Sequence, residues 1–585
     1  MKLILKQFKE LMTERKKHVF LFMILGVLAS ATVYYVTMVL PKIIMDLMVV
    51  SQLNTLYIQL TIYSVVLAVS AIILNISDAV TQTAFQEVRL LQFARFHKKY
   101  MEIDYEHIED ARFQDETETS SRALSGNHMG FEHVYTLTYQ ILKSLCIIVI
   151  ASVLIIGLSY WILVISVITA IVAMLVKGMI AKNEYKKKEM VSHEARKQRY
   201  FYDTSYNFNY GKDLRVYQLE DDFNKKYKKA SAGYLSVLKK LYHFEFYASL
   251  LELIPLLLQD GIAFFFIVYA YYQEMIGLSD VAMYLSAVVI LSTYLRQFGL
   301  DFGSLKADLN YVKDYYKFIE SNKYTKYAND LKPLTGDITI VFEHVDFKYP
   351  NTENYIFKDL NFTITAKEKL AIVGINGAGK TTLIKLICGL FYPTDGRILI
   401  NGHDVRLFEK KQYQDMFSVV FQDYKIFAAS VLENVMGTDQ DTNRAIKALD
   451  QAGMTEKITS LPNGYHQQLL RVIDENGVDL SGGEKQKIAI ARALYKDASV
   501  MILDEPTAAL DAIAEEKIYQ QFADMTKDKT TIFISHRLAS TRFCDKIALF
   551  DKGLIEYGTH QELMDKKGLY FQMFEVQGKY YKAGV

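Results

Sequence analysis

Cysteine and proline are scarce in this chain. Three cysteines, Cys146, Cys388 and Cys544, stand in 585 residues with no paired spacing. That gives no sign of a disulfide framework or a zinc site, and it is compatible with a reducing cytoplasm around the soluble part. An excess of either charge is also missing: 67 basic against 66 acidic residues leave a formal net charge of +1. Such a balance gives no footing for nucleic acid as a partner. The stretch Met1–Lys17 is basic but lacks a short apolar core followed by a small-residue cleavage site. It reads as a retained cytoplasmic lead-in, not a signal peptide.

What is abundant is apolar sequence. The 51% of hydrophobic residues is high for a soluble protein of this length and low for a pure bundle of spans. A chain this long exceeds one ordinary domain, so one membrane half and one soluble half fit best. Crossing a bilayer takes about 20 mostly apolar helical residues. Six runs qualify: Val19–Leu40, Leu56–Ile76, Leu137–Leu158, Tyr160–Val176, Tyr247–Tyr271 and Val281–Leu300. Basic residues cluster before the first run and in the two long connections. Arg89, Arg95, Lys98, Lys99, Arg112 and Arg122 lie in the first connection, and Lys186, Lys187 and Lys188 in the second. The short connection after the fifth run carries Glu274 and Asp280. Basic residues concentrate on the cytoplasmic side of membranes, so the N-terminus, both long connections and the C-terminal half are expected there. Few prolines interrupt the long connections, which read as helices that leave the membrane, turn and return.

After Phe318 the sequence turns polar, and residues 321–337 read as a linker. From Ile338 onward short β-branched runs alternate with helical stretches. Ile338–Phe342, Leu370–Val373, Val500–Leu503 and Thr531–Ile534 are strand-like, which predicts an α/β domain on a largely parallel sheet. The division is therefore 1–320 for the membrane domain, 321–337 for the linker and 338–585 for the soluble domain.

Gly374-Ile-Asn376-Gly377-Ala-Gly379-Lys380-Thr381-Thr382 follows the strand Leu370–Val373 and opens a helical run, Leu383–Gly389. That is a complete phosphate-binding loop in its strand–loop–helix setting. Its glycines let backbone N–H groups surround phosphates, and the helix N-terminus adds favourable potential. Lys380 neutralises phosphate charge and the Thr381 hydroxyl suits Mg²⁺. Val500-Met-Ile-Leu503-Asp504-Glu505 is an apolar strand ending in two acids. Asp504 is placed to hold Mg²⁺, directly or through water, and Glu505 to polarise the attacking water.

With Leu480-Ser481-Gly482-Gly483-Glu484-Lys485-Gln486 added, the sequence resembles the ATP-binding cassette (ABC) transporter family, whose signature motif this stretch matches. The resemblance spans the whole chain. It implies an all-α domain of six membrane helices followed by an α/β phosphate-loop ATPase, the plan of an exporter-type half-transporter. It implies that Ser481, Gly482 and Gly483 face a γ-phosphate bound to a second cassette. Tyr349 looks like the aromatic that stacks on adenine, and Gln422 like the glutamine that meets Mg²⁺ and the attacking water. Asp511 resembles the residue of the loop that crosses the dimer interface, and His536 the switch histidine at the γ-phosphate. Asp104–Arg122 and Gly211–Glu220 look like the two cytoplasmic coupling helices. One departure is visible: Asp474-Glu475-Asn476-Gly477-Val478-Asp479 keeps only Glu475 and Gly477 of the usual exporter segment.

The expected activity is Mg·ATP hydrolysis at a dimer interface, driving export of a peptide, lipid or amphipathic compound. The partner is a second copy or a homologous half-transporter, and the setting a bacterial cell membrane. An importer on the same plan, or a regulatory or channel-like ATPase, is the alternative. Asn75, Glu252, Gln259 and Asp260 are polar positions within spans. Glu252 and Asp260 are expected to line the pathway and to favour a cationic or amphipathic cargo, since ionisable groups at membrane depth face cavities or protein interior.

Overall fold

A computed structural model describes residues 2–13, 17–49, 53–321, 334, 336–437, 439–505, 528–535 and 538–582. The described chain divides into two compact units, one of Met1–Ile103 and Ile108–Asn322, the other of Asp104–His107 and Lys323–Val585. Most of the expected linker, 322–333 and 335, lies outside the described residues.

The first unit is helical throughout. A short amphipathic helix, α1 (Lys2–Thr13), precedes α2 (Lys17–Val49) and α3 (Leu53–Glu102). Two small helices follow, α4 (Tyr105–Ile108) and α5 (Ala111–Ser121), and then α6 (Phe131–Ile155), α7 (Tyr160–Lys186), α8 (Lys188–Tyr206), α9 (Phe208–Val216), α10 (Glu220–Tyr272) and α11 (Leu278–Ile319). Among the described residues six helices are long and apolar enough to cross a membrane: α2, α3, α6, α7, α10 and α11. These are the six runs read from the sequence. Ile58, Ile62, Val65, Val69, Ile72 and Ile76 of α3 are all at least half exposed. Their three- and four-residue spacing makes one aliphatic face, which a water-soluble surface would not carry. At about 1.5 Å per residue α3 runs about 75 Å, more than twice the roughly 30 Å hydrocarbon thickness. Helices α3 and α10, of 50 and 53 residues, run on well beyond the apolar runs read within them. The segment Asp104–Arg122 forms α4 and α5, and Gly211–Glu220 covers the later part of α9, the turn after it and the first residue of α10.

The second unit is built on two sheets. The larger has six strands in the order β10-β9-β3-β8-β7-β6, with β3 at Lys369–Gly374, β6 at Phe417–Val420, β7 at Val500–Asp504, β8 at Thr530–Ile534, β9 at Lys546–Phe550 and β10 at Leu554–Gly558. Its pairings are parallel except that of β9 with β10. Every residue of β7 and β8 is buried, as central strands covered on both faces must be. The second sheet is antiparallel, in the order β2-β1-β4-β5. It joins β1 (Ile340–Phe347), β2 (Phe357–Ile364), β4 (Asp395–Ile400) and β5 (His403–Asp404). The sequence reading placed β1 and three strands of the parallel sheet but did not foresee this second layer. The helices that matter for the site are α12 (Lys380–Ile387), α13 (Lys410–Asp415), α14 (Val431–Met436), α15 (Thr442–Gln451), α16 (Thr455–Thr459) and α17 (Gly482–Lys496).

Candidate functional site: a nucleotide pocket at the ends of the parallel strands

The pocket forms where β3 ends and α12 begins. Backbone φ is +82° at Gly377 and +97° at Gly379, a region that costs residues with a Cβ and costs glycine little. A Cβ at Gly379 would press on the Phe357 ring at 2.8 Å, and one at Gly374 would meet the Phe550 carbonyl oxygen at 2.2 Å. At Gly377 nothing lies within 4 Å, so the loop presents bare backbone to the open pocket. Lys380, the first residue of α12, is 7% exposed. Its ammonium donates to the carbonyls of Gly374 at 2.8 Å and Ile375 at 3.1 Å. Burial lowers its pKa, while Glu505 and Asp504 act in the other direction. The lysine is thus held by neutral carbonyls in a place where phosphate oxygens would be stronger partners.

The two acids at the end of β7 separate as the strand ends. Asp504 is still paired with Ile534 of β8. The residue is 2% exposed, and among the described residues its Oδ2 has no hydrogen-bond partner. Burial, then the neighbouring Glu505 charge, pushes its pKa up to about 6, against the pull of Lys380. Glu505 takes a left-handed φ of +49°, unusual for a residue with a side chain, and its N–H bonds the Ile534 carbonyl at 3.0 Å. That turn brings Glu505 to the pocket instead of the core. Gln422, just after β6, donates from Nε2 to Glu505 Oε2 at 2.9 Å.

Together Ile356, Asn376, Gly377, Gly379, Lys380, Thr381, Thr382, Gln422 and Glu505 line a cavity of about 470 Å³. Eight of these nine were read from the sequence; Ile356 was not, because an isolated aliphatic residue before a strand gives no signal. Tyr349 lies beside the loop, its hydroxyl 2.8 Å from Thr382 Oγ1 and its ring edge-on to Phe391. Asp511 and His536 lie outside the described residues.

Ser481, Gly482 and Gly483 do not line this cavity. They open α17, where Ser481 Oγ accepts from the Glu484 N–H at 3.3 Å and Glu484 Oε2 accepts from the Ser481 N–H at 2.8 Å, a reciprocal cap. Burial opposes ionisation of Glu484, yet its bonds to Ser481 and Lys457 hold the carboxyl below its usual range. The sequence reading missed two supports. Tyr424 donates its hydroxyl to the Gly482 carbonyl at 2.8 Å, tying the stretch after Gln422 to the start of α17. Gln486, 2% exposed, reaches the Glu505 carbonyl at 3.3 Å.

Polar groups in the spans are placed as follows. Gln259 is 2% exposed, and among the described residues neither atom of its amide nor the buried Oδ1 of Asp260 has a partner. The side chain of Glu252 lies outside the described residues.

These features define a phosphate-loop nucleotide-binding fold following a domain with six helices long and apolar enough to cross a membrane. Residues 357–508 match the family model described as ABC transporter. The subtilin transport ATP-binding protein SpaT of Bacillus subtilis is 33% identical over 382 residues, 64% of this chain and 61% of that protein. The ATP-dependent lipid A-core flippase of Idiomarina loihiensis is 39% identical over 246 residues, 41% of each chain. The chain thus spans less than two thirds of the length of these curated relatives. The structure of a bacterial Atm1-family ABC exporter with ATP bound superposes with a TM-score of 0.77, over 97% of this chain and 98% of the other, at 23% identity. The family match thus lies within the second unit, and the whole chain shares the fold of that exporter.

Proposed function

We propose that this protein is an ATP-driven exporter of a peptide, lipid or amphipathic compound, working as a dimer in a bacterial cell membrane. The observation that carries the reading is the division of the ATP-handling groups. The phosphate loop, Gln422 and Glu505 share one cavity, whereas Ser481–Gly483 cap a separate helix and do not line it. A chain so arranged completes its site with Ser481 of a second chain, either an identical copy or a homologous half-transporter. The relatives' names support the cargo classes: subtilin for SpaT, lipid A-core for the flippase and multidrug for the export protein YgaD of Bacillus subtilis. Positive-inside logic supports a cytoplasmic placement of the ATPase unit.

The residues present fit Mg²⁺. Asp504 offers a buried oxygen without a partner among the described residues, and Thr381 and Gln422 line the cavity. Asp504, Thr381 and Gln422 would hold the ion, which supplies neutralisation of charge on the phosphates. Lys380 exchanges its loop carbonyls for β- and γ-phosphate oxygens, while loop N–H groups from Asn376 to Thr382 surround them. Tyr349 supports the adenine. Glu505, oriented by Gln422 Nε2, takes a hydrogen bond from the attacking water and holds it in line with the γ-phosphate. His536 at the γ-phosphate and Asp511 at the interface complete the assignment. Nucleotide binds the closed pair more tightly than the open one and so shifts the population toward closure. In the membrane unit, buried Gln259 and half-buried Asp260 carry side-chain atoms without partners among the described residues and are assigned to a cargo; the expectation for Glu252 rests on the sequence alone.

Replacing Glu505 with Gln in the full chain reconstituted in lipid tests this. The variant is expected to bind ATP, to trap a closed dimer detectable by crosslinking, and to lose at least about a hundredfold of phosphate release. A variant that turns over normally, or that never closes with ATP, would refute the assignment. Substrate uptake into inverted vesicles then tests direction.

A further inference from the structure

In the first unit a groove of about 580 Å³ runs between α1, α2 and α6. Its walls include Ile4 and Phe8 of α1, Phe20 and Ile24 of α2, and Leu142 and Cys146 of α6. The hydroxyl of Thr138, also in the lining, is spent on the Val134 carbonyl at 2.7 Å. The surface offered to an occupant is therefore hydrocarbon. Phe8 holds α1 over the groove through ring contacts with Phe20 at 5.9 Å and Tyr135 at 5.3 Å. At the mouth Ile24, Leu28 and Val149 are each more than half exposed. Water would find no hydrogen-bond partners along these walls.

Charge at one end of the groove indicates what fills it. Lys17, Phe20, Ile24 and Leu28 are spaced three and four residues apart and so share one face of α2. Lys17, exposed, stands one turn before the groove begins. Helix α1 exposes Lys2, Leu5, Lys9 and Met12 along one stripe and buries Gln7 and Leu11 on the other side. That is the habit of a helix lying in a membrane interface, with its lysines at headgroup level. Lys6 is already engaged by Glu320 and lies 3.6 Å over the Tyr316 ring.

We propose that this groove is a binding site for one acyl chain of an anionic glycerophospholipid, whose phosphate is met by Lys17. The site requires only that α2 and α6 cross a bilayer. It does not depend on nucleotide turnover, so its failure and the failure of the export reading are separable.

The protein supplies its own reporter. Cys388 and Cys544 are buried, whereas Cys146 is half-buried and lines the groove. The full chain is placed, without nucleotide, in bilayers of phosphatidylcholine alone or mixed with phosphatidylglycerol, and Cys146 labelling by N-ethylmaleimide is followed by intact mass. Labelling is expected to be several-fold slower with phosphatidylglycerol, and Lys17→Gln in that same bilayer is expected to restore the faster rate. Equal rates in the two bilayers, or a Lys17→Gln rate unchanged from the parent, overturn the proposal. Leu142→Trp, which fills the groove, is expected to abolish the phosphatidylglycerol adduct retained in native mass spectra. Persistence of that adduct overturns the placement.

Discussion

Ser481 carries two duties that substitution can separate. Its hydroxyl caps α17 and, in the proposed dimer, faces the partner-bound γ-phosphate. Ser481→Ala removes both. Loss of an N-cap costs about 1 kcal/mol, or about 2–4 °C in a domain of this size. Loss of a hydrogen bond to a charged group costs about 1.5–3 kcal/mol, which is about a 10- to 150-fold drop in turnover if it is spent in the transition state. Ser481→Asp is the decisive variant. Aspartate caps as well as serine and suits a helix N-terminus, so stability should stay within about 0.5 kcal/mol of the parent. Its carboxylate, however, would lie against a phosphate. At about 4 Å and an effective dielectric constant near 20, two like unit charges cost about 4 kcal/mol, about a thousandfold in turnover. Stability and activity should thus move apart: Ala loses some of both, and Asp keeps its melting temperature and loses almost all phosphate release. The assays are thermal unfolding and phosphate release by the reconstituted full chain. Phosphate release by Ser481→Asp within about tenfold of the parent would refute a γ-phosphate contact. Losses of turnover that merely track melting temperature in both variants would reduce Ser481 to a cap.

Other expectations follow from single contacts. Gly374→Ala should destabilise the ATPase unit by about 1–3 kcal/mol and weaken ATP binding, because its Cβ would lie 2.2 Å from the backbone oxygen of Phe550 and backbone yields poorly; nucleotide titration and thermal unfolding read both. Gly26→Ala should lower the yield of folded protein in detergent, since its Cβ would lie 1.8 Å from the Tyr139 hydroxyl oxygen, and adding Tyr139→Phe should recover part of the loss. Absence of any rescue would show that the hydroxyl is not the obstruction. Asn434 is 2% exposed and bonds the Phe427, Ala429 and Ser430 carbonyls and the Phe427 N–H. Asn434→Ala strands these groups and should cost about 2 kcal/mol in denaturant unfolding.

What could be read from the sequence was whatever is written in contiguous runs. The phosphate loop, the Asp504–Glu505 strand end and the Ser481 motif each occupy fewer than ten residues, and their chemistry is local. The spans were legible because about twenty apolar residues in succession have few other uses. Their ends were not: α3 continues from the run ending at Ile76 to Glu102, where the pattern passes from apolar all round to amphipathic. The antiparallel sheet escaped because the alternation of buried and exposed positions in β2 is broken by the exposed pair Lys358 and Asp359 and is regular only from there to Ile364, and so short a run has no signal until β1 pairs with it. Polar supports escaped for a related reason. Gln486 and Asn434 look like surface residues in a sequence, and only the fold shows each 2% exposed with a specific partner.

The relation between Gln422 and Glu505 shows what the fold adds to the motifs. The two are 83 positions apart and come from β6 and β7, which are adjacent parallel strands. Parallel neighbours end at the same edge of a sheet, so residues just past their ends meet without further design, at the edge where such sheets bind ligands. Glu505 would still turn away if it kept an extended backbone, because successive strand residues point to opposite faces and Asp504 already faces inward. The left-handed φ at Glu505 prevents that and brings its carboxylate to Gln422. Strain of this kind persists only where the surroundings hold it. Here the Ile534 carbonyl bonds the Glu505 N–H and Gln486 bonds its carbonyl oxygen. The helix that begins at Ser481 therefore holds, through Gln486, the backbone of its own chain's Glu505, while its capped N-terminus remains outside that chain's cavity. A movement imposed on the start of α17 by a partner's nucleotide would reach Glu505 along this one helix. In the proposed dimer, that would give the two ATP sites a physical route by which each senses whether the other is filled.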